Sequence, residues 1–224
     1  LTYQGIVFDF NGTLLWDMDL HEKVWHQLSR QYRGKDLTQE EWDHGFVGRT
    51  NAEIWPFLLG RKPDRTEADQ LSDEKEKTYR DLLVSLPGKA VLVDGAVELF
   101  ETCLAAGIEI GIGTAAGLSN VQFYIETFEL HRWFKPERIV FDDGTMPGKP
   151  HPALFSTVIS RLGLEPRQCI VVEDGILGIR AARAAGAGKV YGIWSTGSEK
   201  EKLEKITLER LIHTYREVGL EDFR

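Results

Sequence analysis

The residues best suited to chemistry in this chain are acids and hydroxyls placed where apolar runs stop. The stretch "GIVFDFNGTLLWD", residues 5–17, carries Asp9 and Asn11 two positions apart, and strand residues two apart point to the same side. Thr114 stands near the end of the run "EIGIGTA", and Glu173 and Asp174 close the run "CIVVED". One acid in such a place is ordinarily a helix cap. Several at successive strand ends define a candidate site, because open α/β sheets bind ligands beyond the carboxyl ends of their strands. Asp9 is an acid, whereas Asn11 beside it is an amide. The pair therefore raises the question of why only one of the two is an acid.

Those ends need a scaffold, and the apolar pattern supplies it. Runs beginning near residues 5, 109, 138, 169 and 189 are near-continuous rather than alternating, as buried parallel strands are. Helical patterns such as "GAVELFETCLAAG", "NVQFYIETFEL", "PALFSTVISRLG" and "ILGIRAARAAG" separate most of them, with glycine at several ends. This order predicts an α/β fold with a doubly wound, Rossmann-like parallel sheet. Between the first strand and Pro87 the pattern is helical, and "GRKPDRTEADQ" reads as a turn between two helices. The expected organisation is an α/β core of residues 1–15 and 87–224 with an inserted helical cap of residues 16–86.

Composition narrows the partners. A chain of 224 residues, 42% hydrophobic, can bury a substantial core. Its net charge of -8 argues against a broad surface for nucleic acid or acidic membrane, while leaving room for a local basic pocket and a small anionic substrate. Cys103 and Cys169 lack metal-ligand spacing and read as packing residues of a reducing compartment. With no signal-peptide pattern, long apolar run or lipidation motif, the expectation is a cytoplasmic protein, monomeric or weakly dimeric, with neither nucleic acid nor membrane as partner.

Taken in order, "DFNGTL", the strand ending in Thr114, "GKP" with Lys149 and "VVEDG" resemble the four motifs of the haloacid dehalogenase superfamily. The cap position further resembles its β-phosphoglucomutase-like phosphatase branch. The resemblance implies Mg²⁺-dependent phosphoryl transfer through an aspartyl phosphate on Asp9. Asp9 and Asp174 are then the strongest metal ligands, with Glu173 next and Asn11 contributing its backbone carbonyl. Thr114, the neighbouring backbone N–H groups including that of Ala115, and Lys149 would hold the remaining phosphoryl oxygens. The family pattern has a second aspartate where this chain has Asn11. That aspartate protonates the leaving oxygen and later deprotonates water, assistance typically worth about 10²–10⁴-fold in rate.

The cap carries the substrate-facing candidates. His21, in "LHEKVW", occupies a place where mutase-like relatives have a functional histidine, and it is the leading substitute for the missing acid; as a residue of an amphipathic helix it equally reads as packing. Trp25 is an apolar wall for substrate or a core tryptophan. Lys75, in "EKEKTY", resembles a lysine lining the mutase cleft, or belongs to a solvated helix face. In "VGRTNAEIW" the place of the mutase arginine holds Asn51, with Arg49 two residues earlier. This departure favours a phosphatase of a small phosphorylated metabolite over a sugar phosphomutase, and Asn11 keeps a phosphate-binding protein without turnover as the non-enzyme alternative. "GIGTAAG" fails as a dinucleotide fingerprint, since its last glycine is one residue late and no acidic ribose partner follows.

Overall fold

The computed structural model describes residues 2–46 and 49–224. Tertiary contacts divide it into two compact units, one of Leu1–Trp16 with Ala90–Arg224 and the other of Asp17–Lys89.

The first unit is a parallel sheet of six strands, β1 (Gly5–Phe8), β2 (Glu109–Gly117), β3 (Ile139–Asp142), β4 (Cys169–Glu173), β5 (Lys189–Ile193) and β6 (Arg210–Ile212), in the order β3-β2-β1-β4-β5-β6. This is the doubly wound α/β arrangement that the near-continuous apolar runs predict. β6 is the strand that reading misses, because three residues with only Ile212 fully buried give no apolar run. Numbered in chain order, the helices of this unit are α5 (Ala96–Ala105), α6 (Leu118–Thr127), α7 (Ala153–Leu162), α8 (Ile176–Ala184) and α9 (Gly197–Leu203).

Successive strand residues face opposite sides of the sheet. Val7 on β1 therefore packs into one layer with Val171, Phe155, Val158 and Ile179, while Phe8 faces an aromatic layer of Phe100, Phe134 and Tyr215. Gly111 and Gly113 let α7 approach: a Cβ on either would lie 2.6 and 3.0 Å from Val158. Cys103 and Cys169 are fully buried in these layers, and burial pushes both thiols up to about 12, as suits packing residues.

The second unit contains α1 (Met18–Arg33), α2 (Gln39–Gly45), α3 (Asn51–Leu59) and α4 (Arg65–Ser85). Thr38 with Glu41 and Thr50 with Glu53 form capping boxes that start α2 and α3, and the Asp64 side chain accepts the Glu67 N–H to start α4. Gly60, at a φ of +65°, ends α3 in the left-handed conformation that a residue with a Cβ resists. Leu20, Val24, Trp25 and Leu28 of α1 form the buried stripe, with Trp25 edge-on to Trp55 of α3 at 5.2 Å. No helix among the described residues is long and apolar enough to cross a membrane.

Candidate active site

The strand order reverses between β1 and β4, since the chain runs from β1 outward to β3 and then returns to the other side of β1. Crevices at such reversals are where open α/β sheets bind ligands. Phe8 pairs with Val172, and the Asp9 N–H bonds the Val172 carbonyl at 3.1 Å, so Asp9 and Glu173 leave neighbouring strands at the same level. Ligand oxygens of Asp9, Glu173 and Asp174 lie within 4.8 Å of one another.

Each carboxylate is held by identifiable partners. The Lys149 ammonium donates to Asp9 Oδ1 at 2.7 Å and also to Glu173 Oε1. Glu173 Oε2 accepts the Gly175 N–H at 2.5 Å, and Thr13 Oγ1 donates to Asp174 Oδ1 at 2.9 Å. Two glycines make room for these acids. A Cβ on Gly12, whose φ is +76°, would meet Asp174 Oδ2 at 2.3 Å, and one on Gly178 would meet Glu173 Oε1 at 1.7 Å.

Burial and crowding set the electrostatics. Burial raises the Asp9 carboxyl, Lys149 lowers it, and Glu173 raises it again, with a net position of about 7. Burial, then Glu173 and Asp9, push Asp174 well above the ordinary carboxylate range. Burial opposes the charge on Lys149, but the two acids outweigh it and hold the ammonium above its usual pKa. The one ammonium of this cluster pairs with the buried Asp9 and Glu173, while the half-buried Asp174 lies beside them without it.

Thr114, expected just beyond its strand, lies inside β2 at an irregularity. Gly113 pairs with Val140 and Gly117 with Asp142, so Thr114, Ala115 and Ala116 stand opposite Phe141 alone. Bulges of this kind re-aim side chains and backbone near sites. Thr114 is buried with its hydroxyl accepting the Ala116 N–H at 3.1 Å, whereas Ala115 is exposed. The Asn11 amide donates to Tyr124 Oη at 2.7 Å, and the Tyr124 ring stacks on Phe10 at 4.2 Å.

The cap candidates form a cluster within the helical unit. Lys75 is 2% exposed, so it is no solvated helix face; its ammonium donates to Glu76 Oε1 at 2.7 Å and lies 2.8 Å from His21 Nδ1. An ammonium has only donors, so Nδ1 is the accepting nitrogen of the His21 ring. The other, Nε2, lies 3.5 Å from Asp17, and the ring stacks on Tyr79 at 4.0 Å. The Tyr79 hydroxyl donates to Asp17. Asn51 Nδ2 donates to Glu76 Oε1 at 2.8 Å, while Arg49 is exposed just before α3. Trp25 is 4% exposed among Phe46, Trp55 and Lys75, which makes it a core tryptophan rather than a substrate wall.

Several participants escaped the sequence reading. Gly12 and Gly178 had a signal, a glycine beside or near each acid in "DFNGTL" and "EDGILG". Thr13, Tyr124, Tyr215, Asp17 and Glu76 had none, because each is defined by a partner distant in sequence. An open groove of about 340 Å³ at the start of α5, lined by Val91, Leu92, Phe128 and Trp133 among others, contains none of the carboxylate cluster.

A doubly wound sheet with three carboxylates and a lysine converging at its reversal point defines an α/β protein with an acidic site beyond the carboxyl ends of its strands. The model of the haloacid dehalogenase-like hydrolases matches residues 3–186, and the chain belongs to that family. It is 24% identical over 194 residues to a phosphorylated carbohydrates phosphatase of Thermotoga maritima, covering 85% of each chain. It is 26% identical over 191 residues to the fructose-1-phosphate phosphatase YqaB of Escherichia coli K12, covering 84% of this chain and 95% of that one. Among solved structures, a HAD hydrolase of family IA, variant 3, from Entamoeba histolytica superposes with a TM-score of 0.89 at 35% identity, covering 98% of this chain and 97% of that one. By class the protein is a HAD-like phosphoric monoester hydrolase.

Proposed function

We propose that this protein is a Mg²⁺-dependent phosphatase of small phosphorylated sugars that works through an aspartyl phosphate on Asp9 and turns over slowly because residue 11 is asparagine. The carrying observation is the cluster of Asp9, Glu173 and Asp174 with a single ammonium among them. Their fit to a hard divalent cation is supported by donor type, by convergence within 4.8 Å and by the raised carboxyl pKa values, which a cation would relieve. Asp9, Asp174 and the Asn11 carbonyl would hold Mg²⁺, with Glu173 beside them. When bound, it supplies positive charge against the transferring phosphoryl group.

The chain's own residues do the rest. Asp9 attacks phosphorus; the new bond joins its carboxylate oxygen to phosphorus as the bond to the sugar oxygen breaks. Lys149, bonded to Asp9, orients the nucleophile and offsets its charge. The Thr114 hydroxyl and the N–H groups of the β2 bulge bind phosphoryl oxygens. Water then opens the acyl phosphate and releases inorganic phosphate. Asn11 neither gives a proton to the leaving oxygen nor takes one from water, so both exchanges fall to solvent.

Two observations in the helical unit support this reading. His21 has one nitrogen accepting from Lys75 and the other facing Asp17, which argues against its replacing the missing acid. Asn51 spends its amide on Glu76, so the position of the mutase arginine is committed to internal packing, favouring a phosphatase over a mutase. Sugar phosphates are the substrate class suggested by the names of the relatives.

A screen of phosphorylated sugars, nucleotides and small acids, run with and without Mg²⁺ on the parent and Asn11→Asp, tests the proposal. Slow parent turnover on sugar phosphates that accelerates in Asn11→Asp supports it. No turnover by either protein overturns it in favour of a phosphate-binding role.

A further inference from the structure

We infer that Tyr215 is a positioning residue for this active site: its hydroxyl holds the turn that carries Thr13, and through Thr13 it sets the carboxylate of Asp174. Tyr215 follows β6 and lies outside residues 3–186, the part of the chain that the family model matches.

The phenol is fixed from several directions before it reaches the turn. Its ring is 1% exposed and meets Phe8 of β1 edge-on at 5.6 Å, and its backbone N–H bonds the Asp94 carbonyl at 2.9 Å. Its hydroxyl then donates to the Thr13 carbonyl at 3.2 Å, across 202 positions of sequence. A phenylalanine would fill the same apolar space without bringing in a hydroxyl, which is costly to bury unless it is bonded.

The turn it holds begins one residue after the nucleophile. Leu14 N–H bonds the Phe10 carbonyl at 2.7 Å, and Thr13, fully buried, has its carbonyl held by Tyr215 and its hydroxyl bonded to Asp174. Gly12 leaves no room for a side chain beside the same carboxylate. A shift of the Thr13 backbone therefore passes directly to Asp174 and leaves Asp9, which is bonded to the Val172 carbonyl and Lys149, in place.

This inference rests on the proposed metal site, and the experiment separates the two. Mg²⁺ alone is titrated calorimetrically into the parent, Asp174→Ala, Tyr215→Phe, Thr13→Val and the Tyr215→Phe/Thr13→Val double variant, with melting temperatures recorded for each. Residues that bond a metal's ligands typically carry about 10–100-fold in affinity. Thr13→Val is expected within that range, and Tyr215→Phe, one bond further away, at about its lower limit of 10-fold. The double variant should bind no more weakly than Thr13→Val, because without the Thr13 hydroxyl the hold of Tyr215 no longer reaches Asp174. Additive losses, or a Tyr215→Phe protein with parent affinity while Asp174→Ala binds poorly, overturn the inference and leave the metal site standing. A parent whose Mg²⁺ binding is absent or indifferent to Asp174→Ala overturns the metal site and the inference with it.

Discussion

Two buried polar clusters, one in each unit, use the same side-chain types to opposite ends. In the helical unit, Glu76 is partly buried, which raises its carboxyl, yet Lys75, His21 and Asn51 outweigh burial and bring it down to about 2. In the α/β unit, Asp9 is also buried beside a lysine, yet it stands at about 7 because burial and Glu173 together outweigh Lys149, which is shared with Glu173. Lys75 and Lys149 diverge in the same way. Burial lowers the first, with Glu76 only partly offsetting it, while two acids raise the second despite burial. A cluster whose donors match its acceptors is complete as it stands, whereas one with surplus carboxylates is stabilised by a cation from outside. The contrast separates a network that holds helices together from the one to which the proposed function assigns the chemistry.

Removing the proposed nucleophile tests the chemical side of this contrast most severely. Asp9→Asn should abolish turnover and any phosphoenzyme trapped from a sugar phosphate; activity near the parent level would exclude covalent catalysis at Asp9. Next in size is Asn11→Asp, expected to raise turnover by about 10²-fold or more by restoring a proton donor at the leaving oxygen. Should His21 already do that work, Asn11→Asp would change little, while His21→Ala would be severely damaging and the parent rate would follow a group titrating near neutral pH. Steady-state pH profiles of the three proteins decide.

The structural side is tested by stability. Glu76→Gln leaves the buried Lys75 with a weaker partner, so the variant should be less stable than the parent at neutral pH. The folded pKa of Glu76 is depressed from 4.5 to about 2, so its contribution is present above the unfolded value and lost as pH falls through the folded one. In chemical denaturation, the gap between parent and Glu76→Gln should therefore shrink as the pH is taken from neutral towards 2. A gap that stays constant would show that Glu76 acts by packing alone.

Asp9 has the reverse sign, and the effect is the smallest of the four. Its folded pKa is raised from 3.8 to about 7, so its contribution is fully present below the unfolded value and lost as pH rises through the folded one. A cation that favours the ionised cluster reverses that loss. Mg²⁺ should raise the melting temperature by a few degrees at about pH 8 and by less at about pH 5, since carboxylates must be deprotonated to bind it. An equal shift at both pH values would remove the coupling between the cation and these acids.

What the sequence determined by itself was whatever depends on short-range pattern. Near-continuous apolar runs such as "CIVVED" mark strands buried on both faces, and an acid at the end of each must emerge at the edge where parallel strands finish. Fold class and the gathering of Asp9, Glu173 and Asp174 at one edge were legible for that reason. β6 was not, since its three residues are a strand by virtue of pairing with β5 rather than by their composition. Lys75 reads in sequence as one more charge in "EKEKTY", and only packing against α1 and α3 buries it against His21. The same holds for Thr13, Tyr124 and Tyr215. Their polar atoms acquire roles through partners 113 to 202 positions away. Local periodicity can state which side of a strand a residue faces, but the identity of a hydrogen-bond partner is decided when the chain closes on itself.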